Sequence, residues 1–275
     1  MKHLSIIRML IAFLLALQFD AMAASAGFDH ASWDGLLKKN VVVLHNGQAS
    51  EVDYAGIAAE RKVFDAYLAS VAAVSRADFE DWTRPAQLAF LLNAYNANTI
   101  ALVLTGYPGI ASIKELGSVL RSPWKKPFVT LLGATRSLDD IEHGMIRGSG
   151  NYPDPRVHFA LNCASIGCPA LRAEAFVAER LDQQLEAAAS GFLADRSRNR
   201  PDGGALKVSP IFKWYREDFE KGWRGASTLA RFFVLYRQPL GLDDGTVQNL
   251  EAGSAPIEFL DYDWHLNAVR LPGKK

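Results

Sequence analysis

The chain has 275 residues, 49% of them hydrophobic, and its 30 basic and 30 acidic side chains cancel. That is enough apolar material for a sizeable core, as one large domain or two small ones. A near-neutral surface argues against nucleic acid as the main partner.

The elements begin with an export signal. Lys2 and Arg8 precede an apolar run from Met9 to Leu17, and the small residues Ala21-Met22-Ala23-Ala24-Ser25-Ala26 follow. This charged, apolar, small-residue order is that of a cleavable signal peptide, cut after Ala23 or Ala26. The run is nine residues long. A spanning helix needs roughly 20, so no permanent membrane anchor is expected. No Cys adjoins the cut, which removes lipid anchoring through a terminal thiol. Loss of residues 1–23 leaves 28 basic and 29 acidic residues. The mature protein is expected in the periplasm or outside the cell.

Between Trp33 and Leu271 there is no linker, repeat or low-complexity block, so residues 27–271 read as one domain. Gly148 to Pro155 and Ser197 to Gly204 are rich in Gly, Pro, Asn and Asp and read as surface loops. Ile57, Val63, Phe64, Tyr67, Leu68 and Val71 fall at helical spacing and predict a helix over Tyr54 to Val74, with a short one behind Ser75. Thr83 caps the central helix, Pro85 is tolerated in its first turn, and the pattern runs to Leu104 before Gly106. Phe128–Leu132, a Gly133-Ala134 turn and Thr135–Leu138 predict a hairpin, and Ser137 with Asp140 starts a helix through Arg147. Arg156 to Leu161 reads as a short strand, Ala173 to Ala194 as a long amphipathic helix and Ala226 to Tyr236 as a shorter one. Ile257–Leu260 and Asp263–Leu266 read as strand pieces. The fold class is therefore α+β: helices dominate, beside a small antiparallel or mixed sheet.

Three stretches are distinctive: Phe90-Leu91-Leu92-Asn93-Ala94-Tyr95-Asn96, then Asp154 to Ser165 (DPRVHFALNCAS) with Cys168-Pro169, and Tyr262-Asp263-Trp264-His265-Leu266-Asn267. Together they resemble the DUF547 family, a domain of unknown function found in bacteria and plants. Members of that family often have Ser where this chain has His265, and some lack the second Cys while keeping the first. The resemblance therefore implies that Cys163 matters more than Cys168; it supplies no activity.

The chemistry of the residues carries the rest. Asn93 and Asn96 share a face of the central helix, where a buried amide without partners costs about 1–3 kcal/mol. They either tie the helix to neighbouring loops or, with Tyr95, line a pocket. Cys163 is a candidate nucleophile with His158 as base, but the two differ by an odd number, so a regular strand would point them apart. His143 is the rival base, with Glu142 or Asp263 to orient it; Asp263 could equally pair with an Arg such as Arg156. Competing readings are a Cys163–Cys168 disulfide, a buried structural thiol, or metal binding by His158, Cys163 and Cys168. The last matches no standard zinc module, and no metal or cofactor is expected. Trp214-Tyr215 and Trp223-Arg224 read as packing. Motifs for dinucleotide or phosphate binding, metalloprotease zinc and serine hydrolysis are missing. Two functions emerge as expectations. One is a thiol hydrolase or acyl transferase of papain-like or transglutaminase-like design, acting on an unknown small molecule or peptide in the cell envelope. The other is a non-catalytic binding module whose Cys, His and Asn residues support the core.

Overall fold

The structure, a computed structural model, describes residues 27–118 and 121–269. The expected signal peptide lies outside the described residues. Among the described residues, the α-helices of six residues or more are α1 Ala31–Asn40, α2 Tyr54–Ala59, α3 Arg61–Ala73, α4 Arg76–Asp81, α5 Arg84–Leu104, α6 Leu181–Ala194, α7 Leu229–Leu235 and α8 Asp244–Glu251. Three small sheets accompany them. β1 Val41–Leu44 pairs with β2 Ala49–Val52, and β3 Val129–Leu131 with β4 Ala134–Arg136, both antiparallel. β5 Arg200–Asp202 and β6 Ala205–Val208 are antiparallel, and β7 Ile257–Phe259 joins β6 in parallel. The class is the helix-dominated α+β expected.

Helix α5 is the axis of the molecule. Thr83 caps it by accepting from the Ala86 N–H, and a Pro occupies its first turn. It is long and apolar enough to cross a membrane by those measures alone, yet its sides are covered by protein. Around it packs a large apolar cluster that includes Trp33, Tyr54, Phe64, Tyr67 and Phe90. Burying each such side chain contributes roughly 1.5–3 kcal/mol. A second cluster gathers Phe159, Phe192, Phe212, Phe219 and Phe232, with ring centroids 4.8–6.4 Å apart.

Several expected boundaries move. The helix over Tyr54 to Val74 is broken at Glu60 (φ −100°, ψ 28°), where Lys39 and Asn40 of α1 hold its carboxylate. Both halves face the same core, so the apolar period crosses the break unchanged. The hairpin turn is Leu132-Gly133, both at positive φ, one residue before the expected pair. The long helix begins at Leu181, because residues 173–177 run along α5 instead: Asn93 binds both backbone groups of Phe176, and Gln184 binds the Ala175 C=O and the Val177 N–H. Asp263–Leu266 forms no strand beyond an isolated bridge between Leu266 and Ser165.

The correction that matters most is at Arg156 to Leu161. Pro155–Phe159 is a 3₁₀ helix, not a strand: Asp154 caps it through the Arg156 N–H, and Pro155 fits its first position. Val157 points into the first apolar cluster and Phe159 into the second. His158, between them, sits at the seam.

Candidate functional site

At that seam lies a cavity of about 210 Å³. Its lining comes from well-separated parts of the chain. Helix α5 contributes Tyr95; a π-helix over Asp140–Arg147 contributes Glu142 and His143; the 3₁₀ helix contributes His158; the following loop contributes Cys163 and Cys168; the C-terminal half contributes Trp214, Tyr215, Tyr262 and Trp264. The strand argument that separated His158 from Cys163 does not apply, because a 3₁₀ turn followed by Ala164 at φ 62° brings both to one wall.

The structure joins Cys163 to Cys168 as a disulfide. The Tyr262 hydroxyl lies 3.1 Å from the Cys163 sulfur and 3.2 Å from that of Cys168, and Ser165 Oγ lies 3.2 Å from the same hydroxyl. Burial pushes the Tyr262 phenol up to about 12, against the opposing pull of Ser165 and Arg198. It therefore stays an O–H donor beside the sulfurs. The Arg198 guanidinium fixes the loop from behind by donating to the Cys168 carbonyl at 2.6 Å.

His158 is 4% exposed, and its Nε2 donates to Asp218 Oδ2 at 2.8 Å. A carboxylate only accepts, so Nδ1 is left as the basic nitrogen; it has no partner among the described residues. Burial lowers the imidazole below its ordinary range, opposed by the bond to Asp218. Burial alone would raise Asp218, but His158, Arg147 and Lys221 outweigh it and hold its carboxyl far below the usual carboxylate range. The His158 ring stacks on Tyr215 at 4.0 Å, and Phe219 packs at 5.5 Å. Asp218 orients His158; Glu142 and Asp263 were expected as orienters of His143, and Asp218 was not among the expected site residues. Nothing in the sequence links positions 158 and 218, which meet only because Phe212 and Phe219 anchor residues 211–219 in the second cluster.

The other expected site residues divide. His143 lines the cavity but is exposed, bound to Arg147 at 2.6 Å and 3.9 Å from Asp139. Asn93 and Asn96 do not line it. Asn96 donates to the Ala160 carbonyl and accepts from the Asn162 N–H, just as Asn93 serves Phe176. Both tie the helix to neighbouring loops. Tyr95 between them does reach the cavity; burial first, then the Glu142 carboxylate, hold its phenol well above the ordinary range. Arg156 is buried against Asp154, Asp182 and Glu186, not Asp263. Asp263 instead accepts from the ring and backbone of His265. Tyr215 and Trp214, read as packing residues, are cavity walls. Among the described residues, no group of three His, Cys, Asp or Glu side chains converges to hold a metal ion.

Neither a curated protein nor a solved structure matches the chain. A family model described as "Protein of unknown function, DUF547" matches residues 79–193, from the end of α4 through most of α6. That span contains two of the three distinctive stretches and both sulfurs of the cavity, and residues 79–193 of this chain belong to the DUF547 family.

Proposed function

We propose that this protein is an exported, thiol-dependent hydrolase or acyl transferase of the cell envelope, active from the cavity once the Cys163–Cys168 disulfide is reduced. The observation that carries the reading is that Cys163 lines the same cavity as His158, whose ring is set by Asp218 with Nδ1 left basic. Reduction by an external thiol or dithiol adds two electrons and two protons and yields both thiols. His158 then takes the Cys163 proton, and the sulfur attacks a substrate carbonyl to form a C–S bond. Collapse breaks the bond to the leaving amine or alcohol, which departs with that proton. Water or a second acceptor releases the acyl group by the reverse sequence. Tyr262 supplies an O–H beside the sulfur, where charge develops. The N-terminal signal pattern supports export.

The test is alkylation and ester turnover by the mature chain, with and without reductant. Reduced protein should alkylate at Cys163 with a pKa below the usual ~8.5. Cys163→Ala should abolish turnover, and Cys168→Ala should make it independent of reductant. A Cys163 that reacts no faster than a free thiol, with no turnover after reduction, overturns the reading. The alternative is then a non-catalytic envelope binding module. The disulfide favours that reading, since it leaves neither sulfur nucleophilic.

A further inference from the structure

Glu142 is 7% exposed and lies on the cavity wall. A buried carboxylate without a counter-charge is costly, so such groups are normally paired. Glu142 makes no ion pair among the described residues. The cations bound to Asp218 are engaged there: Arg147 holds Asp218 and His143, and Lys221 holds Asp218. Its carboxylate acts on the phenols of Tyr95 and Tyr215 and on the His158 imidazole. Asp139, also on the wall, adds a second carboxylate, and among the described residues no Lys or Arg lines the cavity.

Much of the remaining wall is aromatic. Tyr262 and Trp264 approach to 4.5 Å between centroids, Trp214 lies 4.9 Å from Tyr262, and Trp124 lies 5.8 Å from Trp264. Trp214 is 47% exposed, which places an indole at the mouth. Electron-rich ring faces attract cations, most strongly where water is excluded. Two of these rings already carry one from the protein: the Lys114 ammonium is 3.6 Å from the Trp264 centroid, and the Arg147 guanidinium is 4.8 Å from that of Tyr215. Neither of those cations lines the cavity.

We infer that the cavity is a receptor for a small organic cation, an ammonium or quaternary ammonium group seated among the aromatic rings with Glu142 as its counter-charge. The volume of about 210 Å³ is below the roughly 300–1,000 Å³ of sites that swallow whole drug-sized ligands. It suits one charged head of a larger molecule or one amine-bearing side chain. This inference rests on carboxylate and ring faces, not on sulfur chemistry, and holds for a substrate or for a ligand that is only bound.

The experiment is calorimetric titration, with tryptophan fluorescence in parallel, of the oxidised mature protein. The probes are tetramethylammonium, choline and the uncharged tert-butyl analogue of choline in which carbon replaces nitrogen; sodium chloride serves as the ionic-strength control. Saturable binding of the two cations is expected, with the uncharged analogue weaker by about tenfold or more. Glu142→Gln should weaken choline by a similar factor and leave the analogue unchanged. Trp214→Ala, at an exposed position, should weaken choline in a protein of unchanged circular dichroism. The inference is overturned by equal affinity for choline and its uncharged analogue, or by no saturable signal at high millimolar concentration in folded protein. If Glu142→Gln does not fold, the analogue comparison and Trp214→Ala decide. Because the protein stays oxidised throughout, failure here leaves the thiol experiment standing, and failure there leaves this one standing.

Discussion

Replacing Asn96 by Ala tests what the asparagines of the central helix do. The side chain is 3% exposed and makes two bonds, donating to the Ala160 carbonyl at 2.9 Å and accepting from the Asn162 N–H at 2.8 Å. Truncation strands one buried acceptor and one buried donor, each costing about 1–3 kcal/mol. Partial relaxation of the loop brings the expected loss to about 3 kcal/mol. Asn98, 8% exposed on the same helix, is the internal control, because its amide donates only to the Ala94 carbonyl one turn back. That carbonyl keeps its helical bond, and Ala is the better helix former by several tenths of a kcal/mol, so Asn98→Ala should fall within about 1 kcal/mol of wild type. Guanidinium unfolding of oxidised protein, followed by tryptophan fluorescence, reads both as midpoint shifts at constant slope. An Asn98→Ala loss as large as that of Asn96→Ala, or an Asn96→Ala loss below about 1 kcal/mol, would refute the tying role of Asn96.

Two further predictions use the same assay. His30 is 6% exposed, its Nδ1 lies 2.8 Å from the Tyr67 hydroxyl, and burial pushes its imidazole from 6.5 down to about 4. The unfolded chain therefore takes up a proton near 6.5 that the folded protein refuses until about 4, so stability is lost as pH falls through that window, by at most about 3 kcal/mol. His30→Gln should flatten this part of the stability–pH curve, and an unchanged slope would refute the assignment. At Gly167, a Cβ would lie 2.9 Å from two ring atoms of Tyr262 and 3.0 Å from the Asp263 carbonyl. Gly167→Ala should cost about 1–3 kcal/mol and, by moving Tyr262 off the sulfurs, speed reduction of the disulfide by a small-molecule thiol; wild-type reduction kinetics would count against a shielding role for Tyr262.

What the sequence made legible was whatever local rules control. Thr83 with Pro85, Ser75 and the Ser137–Asp140 pair are caps, and all lie where the helical starts were placed. The Phe128–Leu138 hairpin was legible because the turn residues and the flanking alternation agree. Residues 156–161 were not, since a short apolar run reads equally as strand or helix; Asp154 and Pro155 were the available signal for a helical turn. The start of α6 was missed because the amphipathic period begins before the chain is free to coil: Asn93 and Gln184 hold residues 175–177 extended. The site divides in the same way. Cys163, His158 and His143 were identifiable from residue type, and Tyr95 from its place in the distinctive Phe90–Asn96 stretch. Asp218, Tyr215 and the buried role of Glu142 were not, because only long-range packing of aromatic residues sets their positions.

That division bears on how much chain the site requires. The family match ends at residue 193 and supplies Tyr95, Glu142, His143, His158 and both cysteines. The carboxylate that orients His158, the hydroxyl over the sulfurs and three cavity rings, Trp214, Tyr215 and Trp264, all come from later in the chain. Those later residues are placed by the second apolar cluster, whose contact with the matched span runs through Phe159 and α6. A chain with the matched segment but another C-terminal half would keep the disulfide pair while losing the imidazole's partner and most of the aromatic wall. The sulfurs are thus set by the matched segment, and the partner that orients His158 and most of the aromatic wall are set by residues beyond position 193.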